Sequence, residues 1–159
     1  HVDWAQNRLR KRHPALPWRF IGGTQLARGR LIGGCFDMFA DIMSGTLIYP
    51  DLEAFEGSIL FLETSEDMVP PAIFGYWMRN LGARGILERI NGLLFARPGT
   101  DFAPHEQEKE QALIDHFPDF DDMILKILKE YGRLDLPVVT HMDFGHTVPQ
   151  LVLPYGAMA

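Results

Sequence analysis

"SILFLETSED", residues 58–67, carries four apolar side chains from Ile59 to Leu62 straight into Glu63, then adds Glu66 and Asp67 within four positions. An apolar run this short, with Gly57 before it and acids after it, predicts a buried strand. A carboxylate at the carboxyl end of such a strand stands where mixed α and β folds place functional side chains, because the strand fixes the backbone while the next loop opens a crevice. Glu63 is therefore a candidate for orienting a histidine. The competing reading is a cap on the helix that follows.

Upstream, "RLIGG" predicts a short strand from Arg30, and "CFDMFADIM" a short helix through Phe36, Phe39 and Met43. Downstream, the prolines of "MVPPAIFGYWMRNLGARG" suit a first helical turn, and Ile73, Trp77 and Leu81 recur four apart. That spacing predicts a helix over Pro71–Leu81, stopped by Gly82. "INGLLFARPG" is a strand, "PHEQEKEQALIDHF" a polar helix, and "DFDDMILKILKEYG" a helix with an aspartate cap, a stripe of Ile124, Ile127, Leu128 and Tyr131, and Gly132 as terminator. "LPVVTHMDFGHTVPQLVLPYG" reads as two strand-like runs around a glycine turn. The alternation defines a mixed α and β domain. From these elements alone a doubly wound sheet is one arrangement open to it.

At 159 residues and 47% hydrophobic, the chain can bury the core of one globular domain. A net charge of -6 argues against a general nucleic-acid binder, which needs basic excess to neutralise phosphates. The basic run "NRLRKRH", residues 7–13, is local and reads as a solvated face or linker. One cysteine, Cys35, excludes an internal disulfide and is expected to be a small buried residue. No apolar run approaches the roughly 18 residues of a membrane span, and no signal peptide is visible, so a cytoplasmic location without membrane contact is expected. Residues 1–27, beginning at His1 without methionine, read as a linker continuing from something upstream.

Three further positions suit catalysis or metal binding. His146 follows Gly145 in "DFGHTVP", a tight turn that would hold an imidazole in one direction. His141, Asp143 and His146 combine ligand types of a hydrolytic zinc site, but no geometry beyond Gly145 is fixed by the sequence. The three serines, Ser44, Ser58 and Ser65, lie outside any Gly-x-Ser-x-Gly elbow.

In order and spacing, "GRLIGGCFDMFADIMSGTLIYPD", "GSILFLETSED", "YWMRNL", "INGLLFARPG" and "LPVVTHMDFGHTVPQLVLPYGAMA" resemble the C-terminal domain of the LD-carboxypeptidase family of serine peptidases, in the branch containing the microcin immunity proteins. The resemblance implies a compact, barrel-like small domain with flanking helices over residues 28–159, the second half of a two-domain enzyme. It implies a Ser, Glu and His triad in which Glu63 and His146 come from this domain, with Glu66 as the alternative to Glu63. The serine, absent from this chain, comes from an N-terminal nucleophile domain of the same protein. It further implies a peptide, muropeptide or peptide-nucleotide substrate, homodimers in the family, and neither cofactor nor metal. A chain lacking the nucleophile domain should be inactive alone. The alternative is a stand-alone binding or interaction module that keeps the fold without catalysis.

Overall fold

The computed structural model describes residues 17–45, 50–67, 69–98, 114–147 and 150–159. Strands β1 (Arg19–Gly22), β2 (Leu31–Cys35), β3 (Ile59–Glu63), β4 (Gly92–Ala96) and β5 (Pro137–Met142) form one sheet in the order β1-β5-β4-β3-β2. β2, β3, β4 and β5 run parallel, and β1 joins β5 antiparallel. The connections carry α1 (Phe36–Gly45), a 3-10 turn (Leu52–Phe55), α2 (Pro71–Ala83), α3 (Ile86–Arg89) and α4 (Phe117–Glu130). This is the mixed α and β class expected from the sequence. Its compactness takes the form of an open sheet whose edge strands, β1 and β2, belong to opposite sides. β1 falls within the stretch read as a linker.

Strand periodicity sorts the core into two faces. Ile32, Leu60, Leu62, Leu93 and Phe95 join the larger cluster beneath the helices, while Leu31, Ile59, Phe61 and Ala96 join a smaller one on the other face. β3 is buried along its whole length, which explains its unbroken apolar run. Within the larger cluster the Phe74 ring lies 5.6 Å from Phe36, 4.8 Å from Phe95 and 5.4 Å from Phe120. Burying each such side chain contributes about 1.5–3 kcal/mol.

The outer edge of β2 is covered by the end of the chain. Gly29 and Leu31 donate to the carbonyls of Ala159 and Ala157, while Ala159 and Gly156 donate to those of Gly29 and Leu31. Main-chain groups that would otherwise form a sticky edge are thereby paired. Among the described residues no second strand follows the glycine turn: residues 151–154 are irregular.

α2 runs past Gly82 to Ala83. A Cβ on Gly82 would lie 2.4 Å from the Tyr131 ring, so this glycine makes room for a neighbouring helix end instead of stopping its own helix. The buried face of α2 is Phe74, Gly75, Met78, Leu81 and Gly82, leaving Ile73 exposed. α4 begins at Phe117 with His116 at its cap and no side-chain capping bond, in place of the expected aspartate cap. The polar helix expected over residues 104–117 lies mostly outside the described residues. So does the basic run at residues 7–13. No helix among the described residues is long and apolar enough to cross a membrane.

Candidate active site

β2 and β3 end side by side, with Cys35 registered against Glu63. Parallel neighbours in register present their final side chains on the same face, so a thiol and a carboxylate emerge together at the carboxyl edge of the sheet. The segment after β5 returns to this edge. Phe144 packs edge-on against Phe61 with centroids 6.0 Å apart, and Gly145 then turns the chain at φ 74°. A Cβ at Gly145 would lie 2.5 Å from both Cγ and Oε2 of Glu63. Only glycine lets this backbone pass so close to the carboxylate.

The turn delivers His146. Its Nδ1 lies 2.7 Å from Glu63 Oε2, and its backbone N–H donates to the same oxygen at 3.1 Å. Glu63 is 7% exposed, whereas His146 is exposed. The hydrogen bond to Glu63 is the main reason that the His146 pKa rises above its ordinary 6.5; partial burial opposes the rise, and the charges of Glu63, Glu66 and Asp37 add to it. Nε2 faces the exposed Glu66, whose Oε2 is 3.4 Å away. With Glu63 accepting at Nδ1, the tautomer that carries hydrogen on Nδ1 leaves Nε2 a lone pair.

The start of the turn is anchored separately. Asp143 is held by Arg97 Nη2 at 2.5 Å and by Trp18 Nε1 at 3.0 Å. Past the turn, Leu151 N–H donates to the Asp143 carbonyl and Gln150 Nε2 to the Gly145 carbonyl. On the other side of the site, Asp37 in the first turn of α1 accepts from both the backbone N–H and the hydroxyl of Ser65, fixing the loop between Glu63 and Asp67.

The structure thus brings together Glu63, Glu66 and His146, and places His141 and Asp143 with other partners. His141 occupies a left-handed φ of 60° beside a register shift in the β4–β5 ladder. It faces buried Asp121 at 3.3 Å and stacks edge-on against Phe117, while Asp143 is engaged by Arg97 and Trp18. His141, Asp143 and His146 therefore address three different sets of partners. Ser58 is buried with its hydroxyl donated to the Phe55 carbonyl, and the Ser65 hydroxyl is donated to Asp37. The Ser44 side chain lies outside the described residues. Glu63 caps no helix: α2 begins behind Pro70 without a side-chain cap bond. Cys35, expected to be a small buried residue, is instead half-buried beside Glu63, and Asp37 drew no expectation, because a strand register between distant segments leaves no local signal. Burial, aided by the charges of Glu63 and Asp37, pushes the Cys35 thiol above its ordinary range against hydrogen bonds from the Met38 and Asp37 backbone.

Comparison with known proteins gives this edge a context. The family profile described as LD-carboxypeptidase C-terminal domain matches residues 28–159. A Synechocystis sp. protein provisionally named a carboxypeptidase is 29% identical over 162 residues, which is 99% of this chain and 48% of that protein. A Treponema pallidum protein named in the same way is 30% identical over 131 residues, 82% of this chain and 33% of that protein. The chain therefore spans no more than about half the length of these curated relatives. Among solved structures, an MccF-like protein from Streptococcus pneumoniae, crystallised with AMP, superposes with a TM-score of 0.69 at 26% identity, covering 92% of this chain and 41% of that one. The microcin C7 self-immunity protein MccF, at 21% identity and a TM-score of 0.64 over 99% of this chain and 42% of its own, shares the fold.

Proposed function

The chain belongs to the family of LD-carboxypeptidase C-terminal domains, and from that premise we propose that it supplies the base and the orienter of a serine-type carboxypeptidase. The observation that carries this reading is the 2.7 Å contact between His146 Nδ1 and Glu63 Oε2. A serine from an N-terminal nucleophile domain of the same protein completes the triad. His146 Nε2 takes the serine proton as the hydroxyl oxygen attacks the amide carbonyl, then returns it to the leaving amine. Glu63 holds the Nδ1–H tautomer and stabilises the imidazolium by charge. The backbone N–H of His146 shares the same carboxylate oxygen, so ring and backbone are clamped together and the imidazole has little freedom to swing away.

The elevated His146 pKa favours the protonated intermediate that this cycle needs. Glu66 stands where an incoming serine would approach Nε2, and its exposed side chain is free to give way. Family resemblance supplies the substrate class: an amide beside a free carboxylate, in a muropeptide or a peptide-nucleotide antibiotic conjugate. The isolated chain should be inactive: the Ser58 and Ser65 hydroxyls are committed to Phe55 and Asp37, and Ser44 lies outside any Gly-x-Ser-x-Gly elbow.

Turnover on a muropeptide tetrapeptide and on an aminoacyl sulfamoyl adenosine tests the reading. The full-length enzyme should lose about 10⁴ in kcat with Glu63→Gln and at least as much with His146→Ala, and the double variant should lose no more than the worse single one. Glu66→Gln should be mild. Turnover by the isolated chain, or losses that multiply in the double variant, would refute it.

A further inference from the structure

Cys35 is the only cysteine in the chain, and the triad reading gives it no role. Its sulfur, a carboxylate oxygen of Glu63 and a ring nitrogen of His146 all lie within 4.8 Å of one another. We propose that Cys35, Glu63 and His146 form a binding site for a zinc-class divalent cation, superimposed on the imidazole–carboxylate contact.

The donor set is the first argument. Thiolate, imidazole and carboxylate are each a zinc ligand, and a thiolate turns the site away from magnesium and calcium towards zinc and its soft neighbours. Three protein ligands leave a fourth tetrahedral position open to water or substrate. Charge is the second argument. A thiolate and a carboxylate together carry two negative charges, which one dication neutralises at an edge where Glu63 is 7% exposed. Binding exchanges the thiol proton, released to solvent, for a metal–sulfur bond.

Geometry is the third. Zinc bond lengths of about 2.0–2.3 Å place tetrahedral ligands about 3.3–3.6 Å apart, so the cluster fits an ion after side-chain movements of about an ångström, the His146–Glu63 contact opening from 2.7 Å as Cys35 draws in. Cys35 and Glu63 start from rigid, registered strand ends, and His146 from the turn at Gly145. Coordination through Nδ1 leaves Nε2–H directed at Glu66 Oε2, now 3.4 Å away, which is the outer carboxylate that metal-bound histidines commonly have. Entry from solvent lies along the exposed side of His146.

Occupancy removes the ring proton shared between His146 Nδ1 and Glu63 and leaves Nε2 protonated, so a bound ion would silence the proposed base. That consequence rests on the triad reading. The binding itself does not.

The test uses the metal-free chain, stripped with chelator. Because there is one thiol, the rate of its reaction with a maleimide reports this site alone: stoichiometric zinc should slow it at least tenfold. Cobalt loading should give a thiolate-to-metal charge-transfer band, lost in Cys35→Ser. Competition with a chromophoric chelator should show one zinc per chain, weakened at least tenfold in Cys35→Ser and less in Glu66→Gln. Unprotected Cys35 in the unmodified chain, or zinc affinity unchanged by Cys35→Ser with its fold intact by circular dichroism, overturns the proposal. Either result would leave the triad reading standing, since turnover is measured separately in chelator.

Discussion

Replacing Gly145 by alanine should destabilise the turn that carries His146. Two terms contribute. At φ 74° an L-residue is disfavoured by about 1–2 kcal/mol. The new Cβ also falls 2.5 Å from Glu63 Cγ and 2.6 Å from Glu63 Cβ, about an ångström inside ordinary carbon contact. Glu63 Cβ is fixed to β3 and cannot rotate away, so relief has to come from the turn, an overpacking cost of about 1–3 kcal/mol. Gly132 is the matched control: its φ is 68°, and a Cβ there meets nothing within 4 Å. Gly132→Ala should thus show the backbone term alone. Urea unfolding should give Gly145→Ala a midpoint lower than that of Gly132→Ala, equivalent to about 1–3 kcal/mol at constant slope. The moved turn should also weaken the hydrogen bond at His146 and lower its pKa, which Gly132→Ala should leave alone. Equal stabilities for the two variants, within about 0.5 kcal/mol, would show that Glu63 and the turn do not constrain one another as described.

In chelator, proton NMR should find His146 titrating above its ordinary 6.5, with Glu63→Gln moving it down and Glu66→Gln moving it less, in the order of their causes. A raised folded-state value means that the contact's contribution to stability is fully present below the unfolded pKa and is lost as pH rises through the folded one, so Glu63→Gln should destabilise more near pH 6 than near pH 9. Unfolding curves at the two pH values check the sign; a larger cost on the alkaline side would reverse it. Asp143→Asn should be destabilising, about 1.5–3 kcal/mol by denaturant, because it removes the charge from the oxygen that accepts from the 6% exposed Arg97. A cost under about 1 kcal/mol would mean that the turn is not anchored through this pair.

The parts of the fold that could be read from the sequence are those decided locally. β3 announces itself by four apolar residues because both faces of a parallel strand are covered, and Glu63 is visible as the place where that requirement ends. α2 was legible as a helix but not in its orientation. "AIFGYWM" is apolar on every side, so a four-residue spacing fits Ile73 as well as Phe74 and Met78; packing against β4 and α4 buries the latter pair, with Trp77 half-buried against Phe36 and Ile73 left exposed. Gly82 was misread because glycine serves two purposes, and its use here is a close approach to Tyr131. Asp121 carries no sign in the sequence that it is buried, since its partners Arg19 and His141 come from β1 and β5.

The site follows the same division, and the two histidines show why. His141 and Asp143 would share a face if period two held to the end of β5, which is the geometry a zinc reading requires. The left-handed φ at His141 breaks that period within the strand, turning its ring towards Phe117 and Asp121 while Asp143 goes to Arg97. With the approach of the turn thus set, Gly145 carries His146 over the end of β3. There the carboxylate left at the close of a buried strand receives two N–H groups from one residue. Removing a carboxylate from water is unfavourable unless such donors replace its hydration, and one residue that supplies both from ring and backbone cannot satisfy Glu63 without also being oriented by it. Burial of Glu63 and aim of His146 are therefore a single constraint, satisfied only when β3 and the Gly145 turn are both in place. Cys35 enters the cluster through strand register alone, which is why its neighbours could not be found until β2 and β3 were laid side by side.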